Sequence, residues 1–498
     1  MGGQATRLNI KKIWPELTVK RLGSFAIAIL IIIISWVGLW SADADLTSRS
    51  IRVDGTPMQF VVAKGAKSVP GVLIAHGYCG SKQLMRGYAS TLAHNGYGVL
   101  LWDLPGHGAN PHPFEYDSLE SSFDVPFATL KSQPEVNTNQ LAVVGHSMGS
   151  GIAMEGAIAH SNEIDAVVAI SPTGAPVTPN TPKNLSLQLG AWESFLQENA
   201  ERLLREAGGE NRDLSQGKGR SLSVIQNAEH ATILFKDQSH QETLAWLNQT
   251  FGLTQQSPFR DRRMAWYGIH LLGWLGFLGT ALPLVPQEDR RKPTKISLWR
   301  SLGGLVIAPI VGAGSIKVLG LITSVENFGG VMIGGALGVW FLVTGAVWLA
   351  IIGKYSTLKR RDIGIGLIGF TSLWMGCGAM AQVVWLPWFL TLHRLILWGI
   401  IAIACLPWFI AFHAVLSGST KRQRLGWWLA HSMAVLGGLI LAILAAPNIG
   451  FLAIMLPAFP LLFGIFSFLE AKAQSIWGSA FACSFILSWL IMVPFPIL

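Results

Sequence analysis

The sequence predicts two bodies, a mostly parallel α/β domain with helices on both faces and an all-α multi-pass transmembrane bundle. Three observations carry that prediction. The 498 residues are 51% hydrophobic and only 13% charged, with 20 Trp, which is too apolar for an ordinary soluble protein. Stretches long enough to cross a hydrocarbon core, roughly 20 apolar residues each, occur once near the N-terminus and repeatedly in the C-terminal half. Between them, residues 42–264 are of mixed polarity and carry short apolar runs of strand length separated by helix-like segments.

From the N-terminus, residues 1–23 read as a basic cytoplasmic tail and 24–41 as a transmembrane anchor. Ala42-Asp43-Ala44 fits a small-x-small cleavage site, but the apolar run from Phe25 is longer than a signal-peptide core, so the anchor is read as uncleaved. Residues 265–498 read as a membrane domain of about eight helices, with spans at 266–286, 301–323, 329–353, 363–386, 394–416, 427–446, 449–468 and 476–496. Pro447 and Pro457 leave the count of the later spans open.

The net charge of +9 raises the question of nucleic acid, and its distribution answers it. Residues 41–265 hold 17 Lys and Arg against 22 Asp and Glu, a net of −5, so no nucleic-acid partner is expected. The basic excess sits in the tail (Arg7, Lys11, Lys12, Lys20, Arg21) and in alternate connections: Arg290, Arg291, Lys292, Lys295 and Arg300; Lys354, Lys359, Arg360 and Arg361; Lys421, Arg422 and Arg424. The connections between those hold no Lys or Arg. This is the positive-inside pattern, and it places residues 42–264 on the extracytoplasmic side of the cytoplasmic membrane. Arg260, Arg262 and Arg263 oppose it and are read as headgroup contacts at the outer leaflet.

Within residues 42–264, SIRVDG and MQFVVAKG flank Gly55-Thr56-Pro57 as a hairpin. Six runs follow: GVLIAHG (71–77), YGVLLWD (97–103), LAVVGH (141–146), DAVVAIS (165–171), NLSLQLG (184–190) and LSVIQNA (222–228). Most are continuous rather than alternating, as in a parallel sheet covered on both faces. The gaps carry helical segments such as Gly151 to His160 and Glu193 to Arg205. In such sheets ligands bind beyond the carboxyl ends of the strands, so the residues that follow each run are the site candidates.

Gly145-His146-Ser147-Met148-Gly149 follows one of those runs. A serine hydroxyl needs an adjacent base to become a nucleophile, and a sharp strand-to-helix turn exposes it beside helix N-terminal amides. A glycine-flanked serine in that context is a nucleophile candidate. With HGYCGSK and YGVLLWDLPGHGAN before it, the segment resembles the α/β-hydrolase family, nearest its monoglyceride-lipase and serine-aminopeptidase-like branch, over about residues 50–250. The resemblance implies Ser147 as nucleophile, His230 as base after the sixth run, and the backbone N–H groups of Tyr78 and Met148 as oxyanion donors. His240 is the rival base and is expected to cap its helix or face water. Where the family carries aspartate, LQLGAWES offers Glu193, so a Ser-His-Glu triad is expected. The alternative is that Glu193 merely starts a helix. Asp103 and His107 are read as turn structure.

Cys377, Cys405 and Cys483 fall in spans and Cys79 stands alone, so neither a disulfide framework nor a zinc-ligand spacing is present in the sequence. No cofactor and no metal are expected. Only about a dozen residues separate Ser171 from Lys183, which leaves no room for a large lid there. The expected partners are a small-molecule or lipid-like acyl substrate and membrane lipids. Gly330, Gly334 and Gly338 read as a helix-packing stripe, and Lys317, His413 and Glu470 are ionisable groups in or at spans. The leading reading is a membrane-embedded serine hydrolase cleaving esters, less readily amides. The alternatives are a transporter or sensor with a non-catalytic ligand-binding domain, and an acyltransferase.

Overall fold

The strand-length runs pair into one eight-stranded sheet: β1 (Leu46–Val53), β2 (Thr56–Ala63), β3 (Val69–Ala75), β4 (Gly98–Trp102), β5 (Val136–His146), β6 (Ile164–Ile170), β7 (Leu185–Gly190) and β8 (Arg220–Ile225). The computed structural model describes residues 19–254, 257–285, 296–353 and 357–498. Arg7, Lys11, Lys12, Arg290, Arg291, Lys292, Lys295 and Lys354 lie outside the described residues. The spatial order is β1-β2-β4-β3-β5-β6-β7-β8. The β1–β2 and β2–β4 pairs are antiparallel and all others parallel.

The continuous apolar runs have the cause expected of them. Val72, Leu73, Ile74, Leu100, Val143, Val144, Val167 and Val168 are fully buried, which requires cover on both sheet faces. That cover comes from helices including Arg86–Ala93, Asp124–Lys131, Met148–Ala159, Ser194–Glu206 and Asp237–Phe251. The sixth run stops as a strand at Ile225, earlier than its apolar pattern suggests. Asn227 takes a left-handed conformation (φ 53°) and turns the chain toward His230.

The chain divides into two compact units. One comprises Trp36–Tyr267 with Met380–Thr391 and Val493–Leu498 and contains the whole sheet. The two short segments, which the sequence pattern groups with the membrane bundle, thus belong with the α/β body. Ile497, for instance, exchanges backbone hydrogen bonds with Gly106 and Phe114 at 3.0 and 2.9 Å.

The other unit comprises Gly268–Ala379 and Leu392–Met492 with the N-terminal residues to Ser35, and its described residues are all-α. Among the described residues, seven helices of the chain are long and apolar enough to cross a membrane: Val19–Ala42, Arg263–Leu284, Leu298–Leu319, Gly334–Ile352, Arg360–Val384, Leu392–Leu416 and Lys421–Ala445. Near the C-terminus the helices are shorter. The stretch read as 449–468 consists of short turns at Pro447–Ile449 and Leu452–Met455 followed by a helix at Ala458–Ala473, and Ile476–Met492 is the last helix. Proline lacks the N–H that would continue the ladder, and Pro447 and Pro457 stand at these breaks.

The glycine stripe is partly local structure: Gly330 lies in a turn at φ 74°, whereas Gly334 faces Ile491 closely enough that an added Cβ would stand 3.0 Å from it. Among the ionisable groups of this unit, Glu470 pairs with Arg424 at 2.5 Å, and buried His413 lies 3.3 Å from the Cys483 sulfur.

Candidate active site

Every sequence-predicted site residue sits at the carboxyl edge of the parallel strands. β5 runs out at His146, and Ser147 turns the chain into the helix Met148–Ala159 with φ 52° and ψ −125°, a region a non-glycine residue enters only when its surroundings hold it there. The Ser147 N–H donates to the Ile170 carbonyl at 2.9 Å, and the Ser147 carbonyl accepts from Ser150 N–H at 2.8 Å. The two glycines of the motif make the turn sterically feasible. A Cβ on Gly145 would stand 2.1 Å from the Gly149 carbonyl oxygen, and one on Gly149 would stand 2.4 Å from the His76 carbonyl oxygen.

His230 and Glu193 arrive from β8 and β7. Ser147 Oγ is 3.0 Å from His230 Nε2, and His230 Nδ1 is 2.6 Å from Glu193 Oε1. Since a carboxylate only accepts, the proton of that second bond is on Nδ1, which leaves Nε2 as the acceptor for the serine hydroxyl. The Glu193 side chain is fully buried. Its second oxygen accepts from Ser171 Oγ at 2.9 Å and from the Gly190 N–H at 2.6 Å. Glu193 does begin the helix Ser194–Glu206, but its side chain makes no capping bond there and turns back to His230.

The loop after β3 lies against the turn at Ser147. An added Cβ on Gly77 would stand 3.0 Å from the Ser147 Cβ, so Tyr78, the next residue, brings its backbone alongside. Met148 opens the helix after Ser147, and its N–H is among the first-turn donors that no preceding helical carbonyl can use. Under this loop His76 is fully buried. Its Nδ1–H donates to the Gly77 carbonyl and its Nε2 accepts from Leu104 N–H. Burial pushes His76 down to about 4 despite the nearby Asp103 carboxylate.

Two rival readings resolve on burial. His240 does not face water: it is buried, donates Nε2–H to the Leu234 carbonyl at 2.8 Å and packs its ring 4.3 Å from that of Tyr88. Asp103 is structural as expected. Fully buried, it accepts from the backbone N–H and ammonium of Lys82 and from Ala109 N–H.

Arg263 corrects the headgroup reading: it is buried, holds Asp261 at 2.8 Å and donates to Ser90 Oγ and the Arg86 carbonyl. Arg260 pairs with Asp237 at 3.0 Å. Two of the three arginines thus have carboxylate partners within their own unit, while Arg262 is exposed.

Sequence reasoning missed two positioning residues. Ser171, which bonds Glu193, was visible only as the polar end of the β6 run. His146, the variable position of the motif, donates Nε2–H to the His230 carbonyl at 2.9 Å. Burial, reinforced by His230, holds His146 well below the usual imidazole range, so it remains neutral.

Residues 67–246 match the family described as Serine aminopeptidase, S33. That segment is an α/β-hydrolase domain. It contains Ser147, Glu193, His230 and the loop at Tyr78, and leaves the β1–β2 hairpin and the long apolar helices outside. The hydrolase domain is similar to the sn-1-specific diacylglycerol lipase ABHD11 of Mus musculus, 30% identical over 122 residues, 24% of this chain and 38% of that protein. It is also similar to epoxide hydrolase A of Mycobacterium tuberculosis, 27% identical over 133 residues, 26% of this chain and 40% of that protein. The matches thus span about two fifths of the length of these relatives. Among solved structures, a soluble variant of monoglyceride lipase from Saccharomyces cerevisiae in complex with a substrate analog aligns with 42% of this chain and 96% of its own, at 15% identity and a TM-score of 0.32.

Proposed function

We propose that this chain is a membrane-embedded serine hydrolase that cleaves ester bonds, and amides less readily, in lipid-like acyl substrates. The single observation that carries the reading is the hydrogen-bond chain Ser147–His230–Glu193 on a nucleophile turn held at positive φ. His230 Nε2 takes the hydroxyl proton as Ser147 Oγ attacks the carbonyl carbon, and Glu193 stabilises the imidazolium through Nδ1–H. The carbonyl oxygen becomes an oxyanion in reach of the Tyr78 and Met148 N–H groups. As the tetrahedral intermediate collapses, His230 returns the proton to the leaving alcohol. Water then repeats the sequence on the acyl-enzyme and releases the acid.

Two exposed aromatic rings support an apolar acyl group. Trp192, in the turn before Glu193, and Phe195, in the first turn of the helix after it, are both mostly exposed, and the Phe195 ring lies 6.1 Å from that of His230. The seven long apolar helices support a multi-pass membrane location. The alternation of basic connections supports placing the hydrolase domain on the extracytoplasmic side, and the internal pairing of Arg260 and Arg263 lessens the one objection to it.

The test uses a membrane-impermeant fluorophosphonate on intact cells and a permeant one on isolated membranes. Both are expected to label the wild type and not Ser147→Ala. Absence of labelling in membranes, or labelling that persists in the variant, rejects the serine mechanism. Labelling by the permeant reagent alone rejects the extracytoplasmic placement.

A further inference from the structure

A cavity of about 680 Å³ lies on the flank of the hydrolase domain carried by the β1–β2 hairpin, three strands away from β5, at the opposite end of the sheet from β7 and β8. One part of its lining is cationic: Arg52 from β1, Lys82 after β3 and Arg86. Another part is apolar and open, with Trp40 66% and Phe389 65% exposed.

The three cations are not equivalent. Lys82 is neutralised by Asp103, and Arg86 by Asp43 at 3.1 Å. Arg52 is exposed and spends one N–H on the Gly55 carbonyl at 2.8 Å; among the described residues it forms no ion pair with a carboxylate. A guanidinium with unused donors beside a large apolar surface is the chemistry of an amphiphile with an anionic head. A phosphate oxygen would take the remaining Arg52 donors, and an acyl chain would cover Trp40 and Phe389.

Where the lining comes from names the source of such a molecule. Leu39 and Trp40 are in the last turns of the apolar helix Val19–Ala42, and Pro387 and Phe389 lie in the connection between the apolar helices Arg360–Val384 and Leu392–Leu416. Residues at the ends of membrane-crossing helices stand at headgroup depth, where indole rings and cations are favoured. We propose that this cavity is a binding site for an anionic phospholipid, separate from the catalytic serine, with the headgroup phosphate on Arg52 and an acyl chain against Trp40 and Phe389. The inference rests on the membrane part of the proposed function and not on the triad.

The experiment uses the full chain, delipidated in detergent and returned to nanodiscs of phosphatidylcholine with or without phosphatidylglycerol, with retained lipid counted by native mass spectrometry. The wild type is expected to retain phosphatidylglycerol in preference to phosphatidylcholine. Arg52→Gln is expected to weaken that preference roughly fivefold, the effect of one cation at an anionic surface. Phe389→Ser should lower retention of both lipids, and Ser147→Ala should change neither.

Equal retention of the two lipids by the wild type, or an unaltered preference in Arg52→Gln, overturns the proposal. So does displacement of phosphatidylglycerol by millimolar inorganic phosphate, because a free-anion site has no use for the apolar wall. Fluorophosphonate labelling of Ser147 in the same samples reports the hydrolase reading separately. Extraction of the chain from membranes by alkaline carbonate would locate the failure in the membrane reading instead.

Discussion

Glu193 after β7 and Asp103 after β4 are alike in burial and in the number of hydrogen bonds they accept, and differ in the partner they hold. Both are fully buried carboxylates at the carboxyl edge of one sheet, and both accept three hydrogen bonds. Glu193 spends one of them on an imidazole that touches the Ser147 hydroxyl. Asp103 spends two on Lys82 and the third on the Ala109 N–H, and so holds together the loops after β3 and β4. A buried carboxylate is therefore not a site by virtue of burial. What its partner can do with a proton decides the matter.

Substitutions and pH can break that contrast, and the largest effects belong to the Ser147 side. Ser147→Ala should lower ester turnover by about 10⁴ to 10⁶, measured with a chromogenic ester on purified protein. Glu193→Gln keeps the shape but removes the charge that fixes the His230 tautomer, and should cost about 10⁴ in kcat. A loss below about tenfold would return Glu193 to the status of a helix-starting residue.

The Asp103 side should respond in stability instead. Asp103→Asn leaves the Lys82 ammonium without its carboxylate and should cost about 3 to 5 kcal/mol in a denaturant titration, while turnover per folded molecule, counted by active-site labelling, persists. If turnover falls with folding intact, the loop does more than hold its shape.

Acid should weaken the same region. His76 is neutral in the folded state with its pKa lowered from 6.5 to about 4, so the unfolded chain binds more protons in between. The stabilisation is complete above pH 6.5 and is lost as pH falls toward 4, by roughly 3 kcal/mol at the lower end. Thermal melts across that range check the sign, and His76→Gln should flatten the slope.

The smallest effect is expected at Ser171, whose hydroxyl is one of three donors on Glu193. Ser171→Ala should lower kcat/KM about tenfold, in keeping with one hydrogen bond to a charged group. Ser171→Thr, which keeps the donor, should restore most of it. A purely structural role would show no such recovery.

Much of this arrangement was legible in the chain. The strands were readable because burial on both faces leaves continuous apolar runs, and Gly145 and Gly149 marked the turn because no side chain fits against the backbones they meet. His230 could be picked out by its place after the last run. The role of Glu193 was less legible, since a glutamate opening a helix looks the same in sequence whether its carboxylate faces the first-turn amides or swings back to an imidazole. Arg263 was misread for a similar reason: three closely spaced basic residues before an apolar helix resemble a headgroup anchor until Asp261 and Ser90 are seen to hold the side chain inside.

What the sequence by itself determined are the features set by neighbours in the chain: an α/β body with runs buried on both faces, a set of apolar helices, and a sharply turned serine between strand and helix. These follow from periodicity, propensity and steric fit over a few residues. What only the tertiary structure decided is who meets whom. Ser147, Glu193 and His230, with Ser171 and His146 behind them, converge because the order β5-β6-β7-β8 lays successive strand ends side by side. The same order places Asp103 beside Lys82 on the other side of β5. Hydrogen bonds between residues tens of positions apart are set by strand pairing and chain closure, and no local pattern encodes them.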